Sequence, residues 1–526
     1  MEEENVVRDT KMKKNFKILD CTFRDGGYYT DWDFSDDVVS QYFSAMNGLP
    51  VDYIEIGYRN NSQEEYLGKF GYTPLPVVES IRHMCSKKIA VMLNEKSTVV
   101  SDLDRLLSPM RGLVDMVRIA VDPKNFSRAV SFAREVKAVG FEVGFNLMYM
   151  SKWKSDYPEV FQELSSVNDV VDVLYMVDSF GGVTPNELTQ IIGEIRQKTK
   201  CCIGFHGHNN LQLAMANTIR ALELGVDYID ATILGMGRGA GNLCTELLLT
   251  YLNSKGSLNV DFNVLGEVVN AFNPLYERYH WGTNLPYMIA GANQIPQKEV
   301  MQWVTNRVYS FNSVVHAVNA RRIHDADEAK YPQLEIHHKY KDVLVVGGGN
   351  SVKEHQAAIR AFIEGRNDIA LIFATAKQAA PFKNLEVPKY YCLVGDEGRR
   401  LTSIVGADFF DGICVLPSYP RVMGIEVPQY ACKKTFELKA VDFVDKYSDS
   451  VTTVALQTAL LLSGEKIYVV GYDGYLGTML SEKEVSLTDE NNYIFEAYSN
   501  YYGQPLVSLT DSIYYHLQVK SIYQYI

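Results

Sequence analysis

Eight short runs of apolar residues, each followed by a polar or helical stretch, recur between residues 16 and 237. Almost continuous apolar runs are typical of β-strands that are buried on both faces. The segments between them, for example 186–199 and 211–225, have the length and spacing of amphipathic helices. Eight such units predict a closed (β/α)8 barrel, and their regular spacing favours closure over an open, doubly wound sheet. The predicted strands are 16–23, 51–58, 88–94, 114–121, 141–150, 172–179, 202–209 and 228–237.

The rest of the chain has a different pattern. A length of 526 residues is too great for one hydrophobic core, so further domains are expected. The predicted fold class is α/β, with a TIM barrel at 16–257 after a flexible N-terminus at 1–15. Residues 258–335 have helical spacing and predict a helical extension of the barrel. Residues 341–526 predict a smaller Rossmann-like domain, with strands at 341–346, 368–375, 390–396, 412–419 and 466–475 and a helix at 453–464.

Composition excludes several classes of partner. The formal net charge of −13 argues against a general binder of nucleic acid or anionic membranes. No apolar run reaches the roughly 18 residues that a membrane span needs, and the charged first 15 residues do not resemble a signal peptide. The eight cysteines are scattered and form no CxxC pair, which favours a reducing compartment. We therefore expect a soluble cytoplasmic protein, and a homo-oligomer stays open.

Polar residues stand at the predicted carboxyl ends of the strands, where (β/α)8 barrels carry their active sites. His206 and His208 are two residues apart on a strand, so both point to the same side. Asp25 ends the first strand, which lies close to the seventh once the barrel closes, and Arg24 beside it is a permanent cation. Two imidazoles and a carboxylate suit a divalent metal. The alternative is that the histidines only end a strand. The polar strand ends are Arg24, Asp25, Glu55, Asn94, Arg118, Asn146, Asp178, Ser179, His206 and His208.

Four ordered motifs carry a family resemblance. They are FRDGG at 23–27, DSFGGVTP at 178–185, GFHGHNNLQLAMANTIRALELG at 204–225 and DATILGMGRGAGN at 230–242. Together they resemble the DRE-TIM metallolyase (HMG-CoA lyase-like) family over about residues 16–300. The GMGRGAGN segment is most similar to the 4-hydroxy-2-oxovalerate aldolase branch.

The resemblance implies a divalent-metal-dependent aldolase or lyase. Such an enzyme makes or breaks a carbon–carbon bond through the enolate of a pyruvate-type 2-oxo acid, with an aldehyde or acyl compound as the second substrate. Sugar or polysaccharide precursor metabolism is the context we expect. Manganese or magnesium is the expected metal, with zinc as a further option. The implied roles are metal ligation by Asp25, His206, His208 and Asn242, enolate stabilisation by Arg24, and contact with the substrate carboxylate by Ser179.

Two departures from the aldolase branch affect proton transfer. That branch has a catalytic histidine three residues after the metal-binding aspartate, where this chain has Tyr28. A later tyrosine of the branch is replaced here by Asn293. We therefore predict that Tyr28 has taken over as the base. Tyr29 is a second candidate, and simple packing of an aromatic loop at 26–34 is the alternative.

Two other functions compete with this prediction. The first is a Claisen-type transferase that condenses an acyl-CoA with a 2-oxo acid. The condensing branch of the family has a glutamate two residues after the aspartate, and Gly27 stands there instead. The second is an inactive barrel that serves as a scaffold for the C-terminal domain.

The C-terminal domain offers weaker signals. GGGNSVKEH at 347–355 lacks the GxGxxG spacing, so a phosphate-binding turn and a turn that only needs positive φ remain open. VLVVGGGNS and the segment VTTVALQTALLLSGEKIYVVGYDGY are similar to Rossmann domains of the bacterial sialyltransferase-like and flagellar-accessory-like types. That likeness implies a nucleotide or an activated sugar as ligand. In the simpler interpretation, Asp473 only ends a buried strand.

Overall fold

The computed structural model describes residues 15–306, 314–315, 317–318, 329–421, 425–475 and 482–526. The chain divides into two compact units, Met1–Met301 and Gln302–Ile526.

The first unit contains a closed barrel of eight parallel strands in chain order, with β1 hydrogen-bonded to β8. The predicted TIM barrel is therefore confirmed. The strand interiors are almost wholly buried, which explains their continuous apolar sequences. The strands are β1 Lys17–Asp20, β2 Tyr53–Tyr58, β3 Lys88–Asn94, β4 Met116–Val121, β5 Glu142–Leu147, β6 Val173–Asp178, β7 Cys202–Gly207 and β8 Tyr228–Ala231.

The helices of this unit alternate with the strands and continue beyond the barrel. A capping box begins the helix at Pro185–Lys198. The Thr184 side chain accepts a hydrogen bond from the Glu187 N–H, and the Glu187 carboxylate accepts one from the Thr184 N–H. The helices are α1 Thr22–Thr30, α2 Asp36–Gly48, α3 Lys69–Tyr72, α4 Leu75–Met84, α5 Leu103–Leu107, α6 Phe126–Val139, α7 Glu159–Glu163, α8 Pro185–Lys198, α9 Ala214–Glu223, α10 Thr245–Ser254, α11 Phe262–Tyr279, α12 Leu285–Ala292 and α13 Gln297–Met301.

The segment after β1 differs from the sequence prediction. We expected a strand to residue 23 and then an aromatic loop, but the strand ends at Asp20 and α1 carries Asp25 and Tyr28. The two glycines in FRDGG disfavour a helix by intrinsic propensity. Packing outweighs that preference, because a side chain at Gly26 would collide with Met236 and one at Gly27 with the Trp32 ring. The helix ends at Asp31, which is left-handed at φ 51°.

The predicted helical stretch after the barrel is helical in α11 to α13. Part of it, at 307–313, 316 and 319–328, lies outside the described residues. None of the helices that the structure describes combines the length and apolar character that crossing a bilayer requires.

The second unit is built on an eight-stranded parallel sheet in the order β13-β12-β11-β10-β9-β14-β15-β16. This confirms the second α/β fold. Three strands of three residues each, β13, β15 and β16, escaped sequence detection because such short runs carry no period. The strands are β9 Tyr340–Val346, β10 Ile369–Phe373, β11 Lys389–Cys392, β12 Ile413–Leu416, β13 Thr435–Glu437, β14 Ser463–Val470, β15 Leu506–Ser508 and β16 Leu517–Val519. The helices are α14 Ser351–Glu354, α15 Gln356–Glu364, α16 Glu397–Ile404, α17 Val451–Leu462 and α18 Glu482–Tyr502.

Candidate active site

A cavity of about 330 Å³ opens at the carboxyl ends of the barrel strands. We call it the inner cavity. It brings together six of the seven site residues predicted from the sequence, all except Asn242, and further side chains from the loops after β5, β6 and β8 and from α13 complete it. Its lining includes Arg24, Asp25, Tyr28, Tyr58, Asn146, Ser179, His206, His208, Arg238, Gln297 and Lys298.

Asp25 is the buried anion of this cavity, with 2% of its surface exposed. Its Oδ2 lies 3.5 Å from His206 Nε2 and accepts a hydrogen bond of 2.7 Å from Asn242 Nδ2. Burial alone would raise the pKa of Asp25, but the positive charge of the Arg24 guanidinium outweighs burial and holds the pKa below its usual value. Asp25 is therefore ionised at neutral pH, as a metal ligand must be.

The two histidines are oriented by hydrogen bonds to their other ring nitrogens. His206 Nδ1 donates to Asp230 Oδ2 at 2.9 Å, and His208 Nδ1 donates to the Asp178 carbonyl at 2.9 Å. In the neutral ring, donation from Nδ1 leaves the lone pair on Nε2, which is the nitrogen that can then bind a metal. Burial lowers the pKa of His208 to about 3, so it stays neutral over the physiological range.

Asn242 and Cys21 complete the surroundings of Asp25. A backbone bridge between His208 and Asn242 carries Asn242 to the site, and its buried Oδ1 has no hydrogen-bond partner among the described residues. The Cys21 thiol, which the sequence analysis overlooked, lies 3.6 Å from Asp25 Oδ2. Asp25 and His206 form the tightest group with Cys21, within 4.8 Å of one another, while His208 stands outside that group. Burial raises the pKa of Cys21 well above its usual value, so the thiol acts here as a donor to Asp25.

These donors fit a divalent cation. An acceptor oxygen that is buried without a partner is unfavourable in a folded protein unless a cation or water completes it. Asn242 Oδ1, the Asp25 carboxylate and the Nε2 atoms of the two histidines offer oxygen and nitrogen donors typical of a manganese, magnesium or zinc site.

Arg24 belongs to a chain of buried ion pairs inside the barrel. It pairs with Asp25, and its Nε donates to Glu55 Oε2 at 2.8 Å. Arg118 donates to the same Glu55 oxygen at 3.0 Å and also pairs with Asp230. The second terminal nitrogen of Arg24 has no hydrogen-bond partner in the part of the chain that the structure describes, so it can donate to an anion in the cavity. The ion pairs hold the guanidinium plane in place.

Tyr28 faces the inner cavity from α1. Its hydroxyl lies 2.9 Å from the Tyr58 hydroxyl, and the Arg238 guanidinium lies 3.7 Å above its ring. Tyr29, the second candidate, instead donates its hydroxyl to the Gly239 carbonyl at 3.1 Å, and burial raises its pKa. Asn293 caps the end of α12 by donating to Ile289 and does not line the cavity. This geometry favours Tyr28 over Tyr29.

Ser179 and Asp178 end β6 beside the histidines. The Ser179 hydroxyl accepts a hydrogen bond of 2.9 Å from the Tyr149 N–H, which leaves its own proton free to donate. Burial raises the pKa of Asp178 to about 6, although the backbone N–H groups of Val183 and Gly182 oppose that rise.

Sequence reasoning missed Tyr58, Arg238 and Lys298 in this site. Tyr58 carried a signal, since it is the last residue of β2 and therefore stands at the carboxyl end of a strand.

The second unit has a separate crevice of about 440 Å³ at the carboxyl ends of β9, β10 and β14. The sheet order reverses between β9 and β14, which is where ligands bind in open α/β sheets. The glycines at 347–349 do not have positive φ, so backbone conformation does not explain them. Space does: a side chain at Gly347 would collide with the Gly471 carbonyl, and one at Gly349 with the Asp473 carboxylate. Asp473 accepts from the Ser351 N–H at 2.9 Å and so ties two loops together. The Glu397 carboxylate likewise accepts from the Ala376 N–H at 3.0 Å.

A parallel eight-stranded barrel with carboxylate, imidazole and guanidinium groups at the carboxyl ends of its strands has the arrangement of a TIM-barrel enzyme site, and its donors suit a divalent metal. Comparison with known proteins agrees. The HMGL-like family model matches residues 115–271. The chain is 33% identical to 4-hydroxy-2-oxovalerate aldolase of Geobacillus thermodenitrificans, over 46% of this chain and 71% of that protein. It is 29% identical to oxaloacetate decarboxylase of Mycobacterium tuberculosis, again over 46% of this chain and 71% of that protein.

A solved structure, the N-terminal domain of a proposed aldolase from Bacteroides vulgatus, is 58% identical with a TM-score of 0.54. The matched region covers 57% of this chain and 100% of the Bacteroides vulgatus domain. The chain belongs to the HMGL-like family, the DRE-TIM metallolyases, through its N-terminal unit.

Proposed function

We propose that the N-terminal unit is a divalent-metal-dependent aldolase that works through the enolate of a pyruvate-type 2-oxo acid. The observation that carries this proposal is that Arg24, Asp25, His206 and His208 line one cavity, while Asn242 is hydrogen-bonded to Asp25. A divalent cation held by those four side chains would polarise the 2-oxo group as a Lewis acid.

The residues of the chain have separate roles in this proposal. The free donors of Arg24 stabilise negative charge that develops on the enolate oxygen, and they need no reorganisation because Glu55 and Asp25 hold the guanidinium. The Ser179 hydroxyl donates to the substrate carboxylate. Arg24, Arg238 and Lys298 give the cavity a cationic character suited to an anionic substrate.

Tyr28 moves the proton. In the cleavage direction it removes the proton from the C4 hydroxyl of a 4-hydroxy-2-oxo acid, the C3–C4 bond breaks, and the bonding electrons pass to the enolate. The aldehyde leaves, and C3 of the enolate takes up a proton to give the 2-oxo acid. Addition is the reverse.

Two related reactions are separated by particular residues. The Claisen alternative is disfavoured, because a glutamate at position 27 would collide with the Trp32 ring. Decarboxylation of a 2-oxo diacid would produce the same enolate, so it stays a second candidate, which the decarboxylase relative favours. It needs no base for a hydroxyl, and the loss of the Tyr28 hydroxyl would spare it.

The test is metal-dependent exchange of the C3 protons of pyruvate with deuterium, followed by NMR on the full-length protein. We expect exchange with Mn²⁺ or Mg²⁺, none after chelation, and none in His206→Ala or His208→Ala, which should lose the metal while the barrel stays folded. Gln162→Met, an exposed change on α7, is the matched control. Exchange that survives chelation, or full metal content in both histidine variants, would refute the proposal.

For the second unit we propose a small-molecule site that accepts a nucleotide or an activated sugar. Its support is the crevice at the reversal of the sheet order. The Asp473 and Glu397 carboxylates already accept hydrogen bonds from the backbone N–H groups of Ser351 and Ala376, in the turns after β9 and β10. A phosphate therefore cannot bind those N–H groups. The two carboxylates would instead accept hydrogen bonds from the hydroxyl groups of a ribose or hexose ring. Calorimetric titration with uridine and UDP-glucose tests this. Saturable binding that Asp473→Asn weakens supports the site, and no binding of either compound refutes it.

A further inference from the structure

A second and larger cavity, of about 590 Å³, adjoins the inner cavity at the mouth of the barrel. We call it the outer cavity. The two cavities share Tyr28, Tyr58, Arg238 and Lys298, so the proposed base stands at their junction. A substrate in the outer cavity can therefore present one end to the Tyr28 hydroxyl while the rest of it extends outwards.

Neutral polar side chains reach the outer cavity from the end of β3 and from the loops after β2 and β3. Asn60 donates its amide to the Gly71 carbonyl at 3.0 Å, and its Oδ1 has no partner among the described residues. Asn94 shows the converse: its Oδ1 accepts from the Lys96 N–H at 3.1 Å, and its amide N–H groups have no partner in the described part of the chain. Gln63 and Ser97 add another amide and a hydroxyl. The surface thus offers both acceptors and donors.

Charges on the outer cavity balance. Glu64 and Glu65 line it together with Arg238 and Lys298, so the lining that the structure describes is formally neutral. It therefore has no excess of positive charge that would favour a phosphorylated compound over an uncharged one.

We propose that the outer cavity is the subsite for the aldehyde, and that the aldehyde is an uncharged, polyhydroxylated one, of the aldose type. A short alkyl aldehyde would offer no hydrogen bond to Asn60 Oδ1 or to the Asn94 amide N–H groups, and it would fill little of the space. Sites built to bond a substrate hydroxyl discriminate strongly against the analogue that lacks it. This inference rests on the proposed aldolase function and names its second substrate.

The experiment measures carbon–carbon bond formation between pyruvate and matched aldehydes by the full-length protein with Mn²⁺. D-Glyceraldehyde and propanal have the same carbon skeleton and differ only in two hydroxyl groups. We expect kcat/KM to favour D-glyceraldehyde by about tenfold or more, with D-erythrose favoured over butanal in the same way. Equal rates, or a preference for the alkyl aldehydes, would overturn the inference. A preference for glyceraldehyde 3-phosphate over glyceraldehyde would overturn the uncharged class.

Two variants test the assignment of the surface. Gln63→Met and Asn94→Leu should each lower kcat/KM for D-glyceraldehyde by about three- to tenfold, which is the worth of one hydrogen bond, and leave the value for propanal unchanged. Gln63 is exposed, so its variant folds even where Asn94→Leu does not. Gln162→Met should change neither value. An unaltered preference in Gln63→Met and in folded Asn94→Leu refutes the subsite.

Deuterium exchange of pyruvate alone separates this inference from the proposed function. Exchange by the wild-type protein without any preference among aldehydes refutes the subsite only. Absence of exchange refutes the aldolase itself.

Discussion

His206 Nδ1 donates to Asp230 Oδ2 over 2.9 Å, and the same carboxylate pairs with Arg118. Asp230 thus fixes the tautomer that turns Nε2 towards Asp25. We predict that Asp230→Asn, which keeps the shape but loses the charge, weakens metal affinity by about 10- to 100-fold, as is usual for residues that orient a metal ligand. Titration of the metal-free protein with Mn²⁺ measures it. Unchanged affinity would show that Asp230 does not orient His206.

Arg24→Lys keeps a positive charge but loses the planar donor set that reaches Asp25, Glu55 and the cavity together. We expect the rate of enolisation to fall by about 10²-fold, in the range for a lost oxyanion donor. Deuterium exchange measures it, and Lys152→Arg, at a partly exposed site, is the control. A rate near that of the wild type would remove Arg24 from the mechanism.

Tyr28→Phe deletes only the hydroxyl that lies 2.9 Å from Tyr58. Bond cleavage should slow by about 10²–10⁴-fold, the usual worth of a positioned acid–base group. Metal content should not change, because Tyr28 is not among the proposed ligands. Tyr29→Phe is the matched control, since the Tyr29 hydroxyl donates to a backbone carbonyl. A large loss in Tyr29→Phe alone would transfer the role to that residue.

A fragment ending at residue 306 should keep pyruvate exchange, because every described residue that lines the inner cavity precedes it. A fragment ending at residue 293 should lose it. That cut removes Lys298 and also Gln297, whose Nε2 donates to Asn210 Oδ1 at 2.6 Å. Both fragments are compared by exchange rate and by circular dichroism. A folded, metal-binding fragment 1–306 that cannot exchange would mean that the C-terminal unit takes part in enolisation.

Asp178 gives a pH dependence of stability. Its pKa of about 6 in the folded protein exceeds the usual value in an unfolded chain. The protonated side chain therefore stabilises the folded state fully at low pH, and this stabilisation is lost as the pH rises through 6. When the pH is lowered from 7 to 5, the free energy of unfolding of fragment 1–306 should therefore rise by about 1 kcal/mol more than that of the same fragment with Asp178→Asn. Urea denaturation at both values measures it. A difference that is independent of pH would show that Asp178 ionises normally.

The sequence predicted most of the barrel, because continuous apolar strands and helical spacing survive without tertiary information. It brought Asp25, His206 and His208 together, since residues at the carboxyl ends of parallel strands share one edge. It could not place Tyr28 on a helix, because the two glycines before it point to a loop and only contact with Trp32 and Met236 decides otherwise. Arg238 and Lys298 reach the cavity through loop and helix packing that no local pattern encodes.

The ion pairs that run from Arg24 through Glu55 and Arg118 to Asp230 have a consequence for the evolution of this barrel. Apolar residues of similar volume often replace a buried ion network without loss of stability, and sometimes with a gain. Selection for heat resistance alone would thus favour replacing all four charged residues together, although the loss of any one of them is destabilising. A thermostable descendant that keeps all four would be evidence that the lineage had never been released from catalytic selection.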